Sequence, residues 1–274
     1  MASWVIAVLA LGLYAAAVSR PRFRATVKEK VAFVAGVVVL VGALTWPLAD
    51  LSAHWSLLAL VVQRLLLILA VPPLIITGLP HALIGALTRP APLDAALRFV
   101  ARPVVAVAVV TVVSIGTLTT GAVHAQATSA VARALFDLLL LGAGVVLWTP
   151  VLDYLPGTHH LSPLSRAGYL IVQSIVPSFL SVVWIFAHHP LYANYAHHRF
   201  AGLSPLLDQQ LAGFAAKLGT IAVLWTVAFV VLNRSHTLGL PEDAAPLHWE
   251  DVERELERVD RRRRGPTPED PTGP

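Results

Sequence analysis

Apolar residues run along this chain in long, nearly unbroken blocks separated by short polar stretches. A helix needs about 20 mainly apolar residues to cross a bilayer. Blocks of that kind predict seven spans, at 2–18, 31–48, 55–77, 103–122, 131–151, 168–187 and 211–232. The expected fold is an all-α, seven-transmembrane-helix bundle over 1–235. Residues 236–274 form a polar tail. Within it, 247–264 alternate acids and bases at helical spacing, which predicts a short solvated helix. The last stretch, GPTPEDPTGP, is rich in Pro and Gly and predicts disorder.

Loop charges set the orientation. No basic residue precedes the first apolar block, while Arg20, Arg22 and Arg24 follow it. That order predicts an uncleaved helix with its N-terminus outside. Segments 19–30, 78–102, 152–167 and 233–274 then face the cytoplasm and carry most of the Lys and Arg, including Arg261 to Arg264. The expected topology is N-terminus outside, C-terminus cytoplasmic.

Composition agrees. The hydrophobic fraction is 56% and the charged fraction 13%, against about a quarter charged in a soluble domain. The net charge of +4 reads as cytoplasmic loop charge, and no nucleic-acid partner is expected. The bilayer is the expected surroundings. Cysteine is absent, which excludes disulfides and thiolate metal sites.

Several ionisable residues lie inside apolar blocks: Arg64 in span three, Arg133 and Asp137 in span five, and Lys217 in span seven. Charges at membrane depth are costly and usually face a protein interior or a wet cavity. A buried Arg64–Asp137 or Lys217–Asp137 ion pair is the expected way to hold them. The double proline Pro72-Pro73, with Gly78 and Pro80, predicts a broken helix and an abrupt turn. Trp148, at the inner end of span five, is expected to anchor at the membrane interface.

Histidines gather on the predicted outer loops: His54, His124, His188, His189, His197 and His198. Imidazole suits copper and zinc. The two pairs bracketing 190–196 are the metal candidates, with His54 and His124 as partners from neighbouring loops. No phosphate loop, Ser/His/Asp arrangement or metalloprotease motif is present, so no enzyme is expected.

The stretch Gln63–Pro80 (QRLLLILAVPPLIITGLP) resembles a hallmark of the multi-span CtaG family of caa-type cytochrome c oxidase assembly factors. Three further stretches are similar in order: Gly144-Val-Val-Leu-Trp148-Thr-Pro150, Leu191-Tyr192 with Tyr195, and Gly202-Leu-Ser-Pro-Leu-Leu-Asp208-Gln209-Gln210-Leu-Ala-Gly213. Gln63, Pro72, Pro73, Asp208, Gln209 and Gln210 carry the signature. The resemblance implies a bacterial inner-membrane protein that matures a haem–copper oxidase. Its implied partner is an oxidase subunit, and copper is the implied metal. The chain departs from the pattern where the family has His-Met-x-Gln-His in span three: Leu60 and Arg64 replace both histidines. Arg133 and Asp137 stand where span five of the family has His-x-x-x-His. The competing class is a transporter or channel for copper or protons. A retinal-type photoreceptor, prompted by the lysine in span seven, fits less well because Arg64 stands where a carboxylate counter-ion is needed.

Overall fold

The computed structural model describes residues 2–152, 161–176, 178–196 and 201–237. The chain divides into two units, 1–234 and 235–274. The helix expected at 247–264 lies outside the described residues.

Every regular element among the described residues is helical. Five stretches are long and apolar enough to cross a membrane: Val27–His54, Leu57–Gly78, Ala130–Leu152, Pro163–Ile185 and Pro205–Ser235. The expected first and fourth spans are shorter. Helix α1 (Ala2–Val18) has 17 residues.

Helix α2 (Val27–Leu44) starts at a capping box: Thr26 Oγ1 accepts from the Glu29 N–H, and Glu29 Oε2 accepts from the Thr26 N–H at 2.7 Å. Helix α3 (Leu48–His54) follows a short break. Helix α4 (Leu57–Leu65) starts from Ser56, whose Oγ accepts from the Ala59 N–H at 3.1 Å. A π-helical turn, Leu66–Ala70, joins it to α5 (Val71–Gly78), with the Val71 N–H bonded to the Leu66 carbonyl.

The structure corrects the expected break at Pro72-Pro73. The prolines sit in the first turn of α5, and the helix runs on to Gly78. Two features make this tolerable. The π turn already shifts the hydrogen-bond register ahead of the prolines. Pro72 has no N–H for the Ile68 carbonyl four residues back, and Trp148 Nε1 donates to that carbonyl instead, at 3.1 Å. Trp148 is therefore not the interface anchor expected from its position. It is 2% exposed and completes the helix that the prolines would open.

Helices α6 (His81–Leu87) and α7 (Ala91–Val100) fill the segment expected as an inner loop. Helix α8 (Pro103–Gly116) has 14 residues, ending before the expected 122, and α9 (Thr120–Thr128) follows it. Asp94–Val100 and Pro103–Gly116 meet at 86°, the geometry of a broken span or of a re-entrant loop. Helix α10 (Ala130–Leu152) is continuous. The expected sixth span is divided into α11 (Pro163–Ile175) and α12 (Phe179–Ile185). Helix α13 (Pro205–Thr237) is the longest, at 33 residues.

The stretch from α4 to α5 is the most enclosed of the spans. Helix α10 approaches it closely at Gly144, where an added Cβ would lie 2.5 Å from Pro72 Cγ and 2.7 Å from the Ile68 oxygen. Helix α1 docks through Tyr14, stacked on Phe33 at 3.9 Å and donating to the Gly78 carbonyl at 2.9 Å. Val104, Leu138, Phe179 and Phe229 point outward and are exposed, as a lipid-facing surface requires.

Candidate functional site

In hydrocarbon, backbone groups orphaned at helix ends have no water to turn to. Here side chains from distant elements supply the missing bonds, and several belong to the signature residues. Gln63, buried in α4, donates from Nε2 to the Ala43 carbonyl in the last turn of α2, at 3.0 Å. Asp208, in the first turn of α13, is 4% exposed and caps the start of α4. Its Oδ1 accepts from Ser56 Oγ at 2.6 Å and its Oδ2 from the Leu57 N–H at 2.7 Å. A carboxylate at a helix N-terminus also meets the positive end of the helix dipole.

The next two residues hold the outer segment. Gln209 Oε1 accepts from the Leu191 N–H at 2.7 Å, and Gln210 Nε2 donates to the Ala187 carbonyl at 3.3 Å. Gly213, one turn on, lets α13 lie against α12: an added Cβ would be 2.8 Å from the Ser181 oxygen. The segment is then pinned at two further points. Tyr192 donates to the Leu118 carbonyl at 2.7 Å, and Tyr195 donates to the Ser52 carbonyl at 2.6 Å. Trp184 meets Tyr192 edge-on at 6.0 Å.

Burial pushes the Tyr195 hydroxyl above the usual phenol range, with the Arg64 charge opposing. A raised folded value means its bond is fully present below the unfolded value of about 10 and is lost as pH rises through the folded one. Tyr195→Phe is expected to cost about 1–2 kcal/mol at pH 7. That deficit should shrink above roughly pH 10, which thermal unfolding across pH 7–11 will test.

Arg64 is 5% exposed and does not pair with Asp137. Its Nη1 donates to Thr117 Oγ1 at 2.5 Å; its Nη2 donates to the Thr117 carbonyl at 2.7 Å and to Gln126 Oε1 at 3.0 Å. Arg133 Nε donates to the Gln126 carbonyl at 3.1 Å. The early end of α8 explains the partner: it leaves the Thr117 carbonyl free to accept the guanidinium. Asp137 is half-buried and within electrostatic reach of Arg64. A double-mutant cycle between Arg64→Met and Asp137→Asn is expected to give a coupling below about 1 kcal/mol, where breaking a buried ion pair would cost about 3–5 kcal/mol. Lys217 donates from Nζ to Ser178 Oγ at 3.1 Å, at the gap between α11 and α12.

His54, His124, His188 and His189 are exposed. His124 Nδ1 lies 3.2 Å from Asn194 Oδ1. His197 and His198 lie outside the described residues. Among the described residues no three His, Asp or Glu side chains form a group able to hold a metal. Within the membrane the donor set does not fit copper: buried Leu60 offers no donor atom, and the Arg64 guanidinium is a cation bound by oxygens.

Sequence reasoning passed over Ser56, Thr117, Gln126, Gln173 and Ser178. The available signal was polar residues inside or bordering apolar blocks, as in YLIVQSIVPS. Gln173 is 1% exposed, and both its amide atoms are without a partner.

This architecture is that of a multi-pass membrane protein whose marked polar residues tie helix ends together. The chain belongs to the family described as cytochrome c oxidase caa3 assembly factor (Caa3_CtaG), whose family model matches residues 12–236. No curated protein and no solved structure matches it.

Proposed function

We propose that this protein assists assembly of a haem–copper terminal oxidase as a non-catalytic scaffold in the bacterial inner membrane. It has seven spans, with the N-terminus outside and the C-terminus cytoplasmic. In this reading α1 and the α7–α8 pair complete the count beyond the five long spans. The outer face carries the function. The observation that supports this is the clamp of Gln209, Gln210, Tyr192 and Tyr195, which ties the segment 187–196 to the start of α13, to the Leu118 carbonyl after α8 and to the Ser52 carbonyl in α3. A fixed surface suits docking of a partner, here an oxidase subunit, because little ordering cost remains at binding.

Copper is the cargo of this reading, received by outer-face histidines rather than within the membrane. His188 and His189 lie within the clamped segment, with His197 and His198 following it in the chain and His54 and His124 as further donors. The test is a copper(I) competition titration on detergent-purified protein, beside a variant with His188, His189, His197 and His198 changed to Ala. Stoichiometric binding lost in the variant supports outer-face copper handling. No binding in either removes copper from the function. Cross-linking from Pro190 to an oxidase subunit then tests the scaffold role, and absence of any such product sinks it.

A further inference from the structure

A partly open cavity of about 90 Å³ lies between α4, α8, α10, α11, α12 and α13. Its wall is mostly leucine, isoleucine and valine, interrupted by Arg64, Ser114, Gln173, Ser178, Trp184 and Thr220. The space suffices for a few water-sized groups. Three of the polar wall residues, Arg64, Gln173 and Trp184, have polar atoms without a partner. Arg64 Nε has no partner, although the residue is 5% exposed. Gln173 has none for either amide atom. A buried polar group without a partner costs about 1–3 kcal/mol, more for a charged one, so each needs an explanation.

Charge gives the class of occupant. Arg64 is held by neutral oxygens only. Lys217 stands behind Ser178, bonded to its hydroxyl. Ser178 Oγ in turn donates to the Ser174 carbonyl at 2.6 Å, so the ammonium rests on the broken end of α11. Asp137 is the acid in reach of Arg64, and none of the three takes part in an ion pair. Tyr192 and Tyr195, the other titratable neighbours of Arg64, donate their protons to backbone carbonyls. Arg133 shares that one acid, so the positive charge of Arg64 is not fully compensated beside the cavity. Uncompensated charge in such surroundings is strongly unfavourable.

We propose that this cavity binds a small monovalent anionic group, a halide ion or a carboxylate. Arg64 Nε and the Gln173 amide donate to it, and Ser178, backed by Lys217, closes the other side. The apolar remainder of the wall excludes larger hydrated anions. A free ion and the carboxylate of a fatty acid share this chemistry.

The test uses the full chain in a neutral detergent, transferred to buffer free of small anions. Its unfolding temperature is followed while sodium bromide, sodium formate or sodium gluconate is added at matched ionic strength. Decanoate, with decanol as its uncharged control, forms a further arm. A ligand that binds the folded state alone raises the midpoint with saturation. The expected result is a saturable rise with bromide or formate and none with gluconate. Lys217→Met and Gln173→Leu should each raise the half-saturating concentration at least tenfold. A rise with decanoate alone, absent with decanol and reduced in the same variants, identifies a lipid carboxylate and also supports the site. Indistinguishable curves for bromide, formate and gluconate without a decanoate effect overturn the proposal on the wild type alone. Variants that respond like the wild type overturn it as well.

Discussion

Asp208→Asn is expected to lower the unfolding free energy by about 2–4 kcal/mol, because it removes the charge from a buried, charge-assisted pair of bonds and leaves the Ser56 hydroxyl proton without its acceptor. The carboxylate accepts from Ser56 Oγ on one oxygen and the Leu57 N–H on the other. An amide oxygen can accept from only one of them; when it takes the Leu57 N–H, the NH2 group faces Ser56 Oγ, whose own proton must find another acceptor. Ser56→Ala is expected to cost about 1–2 kcal/mol, since the hydroxyl also caps α4 through the Ala59 N–H. In the Asp208→Asn background the same change should cost less, because the Ser56–Asp208 bond is already impaired. Denaturant unfolding of the four proteins in detergent measures this directly. Equal costs in both backgrounds would show that the two side chains act independently. The effect should be greatest at the outer face, because the residues after Asp208 hold 187–196 in place.

Gly144→Ala is the second large effect, with an expected loss of about 2–3 kcal/mol from overpacking. The new methyl would stand 2.5 Å from Pro72 Cγ and 2.7 Å from the Ile68 oxygen, one a rigid ring and the other backbone. Neither can swing aside as a flexible side chain would, so α10 must move away from the π turn. That movement also withdraws Trp148 from the Ile68 carbonyl. Trp148→Phe separates the two contributions: it removes the indole N–H without the clash and should cost about 1–3 kcal/mol. Thermal unfolding of both variants ranks them. A Gly144→Ala protein as stable as the wild type would mean the helices are not in contact there.

The apolar blocks made the helical membrane architecture legible, because hydrophobic length depends on the local chain alone. Interruptions were harder to place. Pro72-Pro73 reads as a helix break, and would be one, except that a tryptophan 76 positions after Pro72 replaces the missing donor. Arg64 invites a search for an opposite charge. Its actual partners are a threonine, that threonine's carbonyl and a glutamine, and a carbonyl is invisible to any search by residue type. The resemblance singled out Asp208-Gln209-Gln210 without giving the residues a role. The role emerges only when α13 is placed beside α4, because the cap spans 152 positions of sequence. The division of the α11–α12 span did have a signal, in the Gln173, Ser174, Pro177 and Ser178 that interrupt its apolar run, but a run of that overall hydropathy still reads as one span.

Arg64 also has a consequence for the order of synthesis. Its acceptors lie 53 and 62 residues further along the chain. At ribosomal rates of about 5–20 residues per second, the guanidinium waits on the order of several seconds before Gln126 exists. During that interval α4 must enter the bilayer carrying a charge that costs about 2.5–3.5 kcal/mol. The leucines and valines around it have to bear that load alone. The hydrophobic excess of this segment therefore serves the nascent chain as much as the finished bundle.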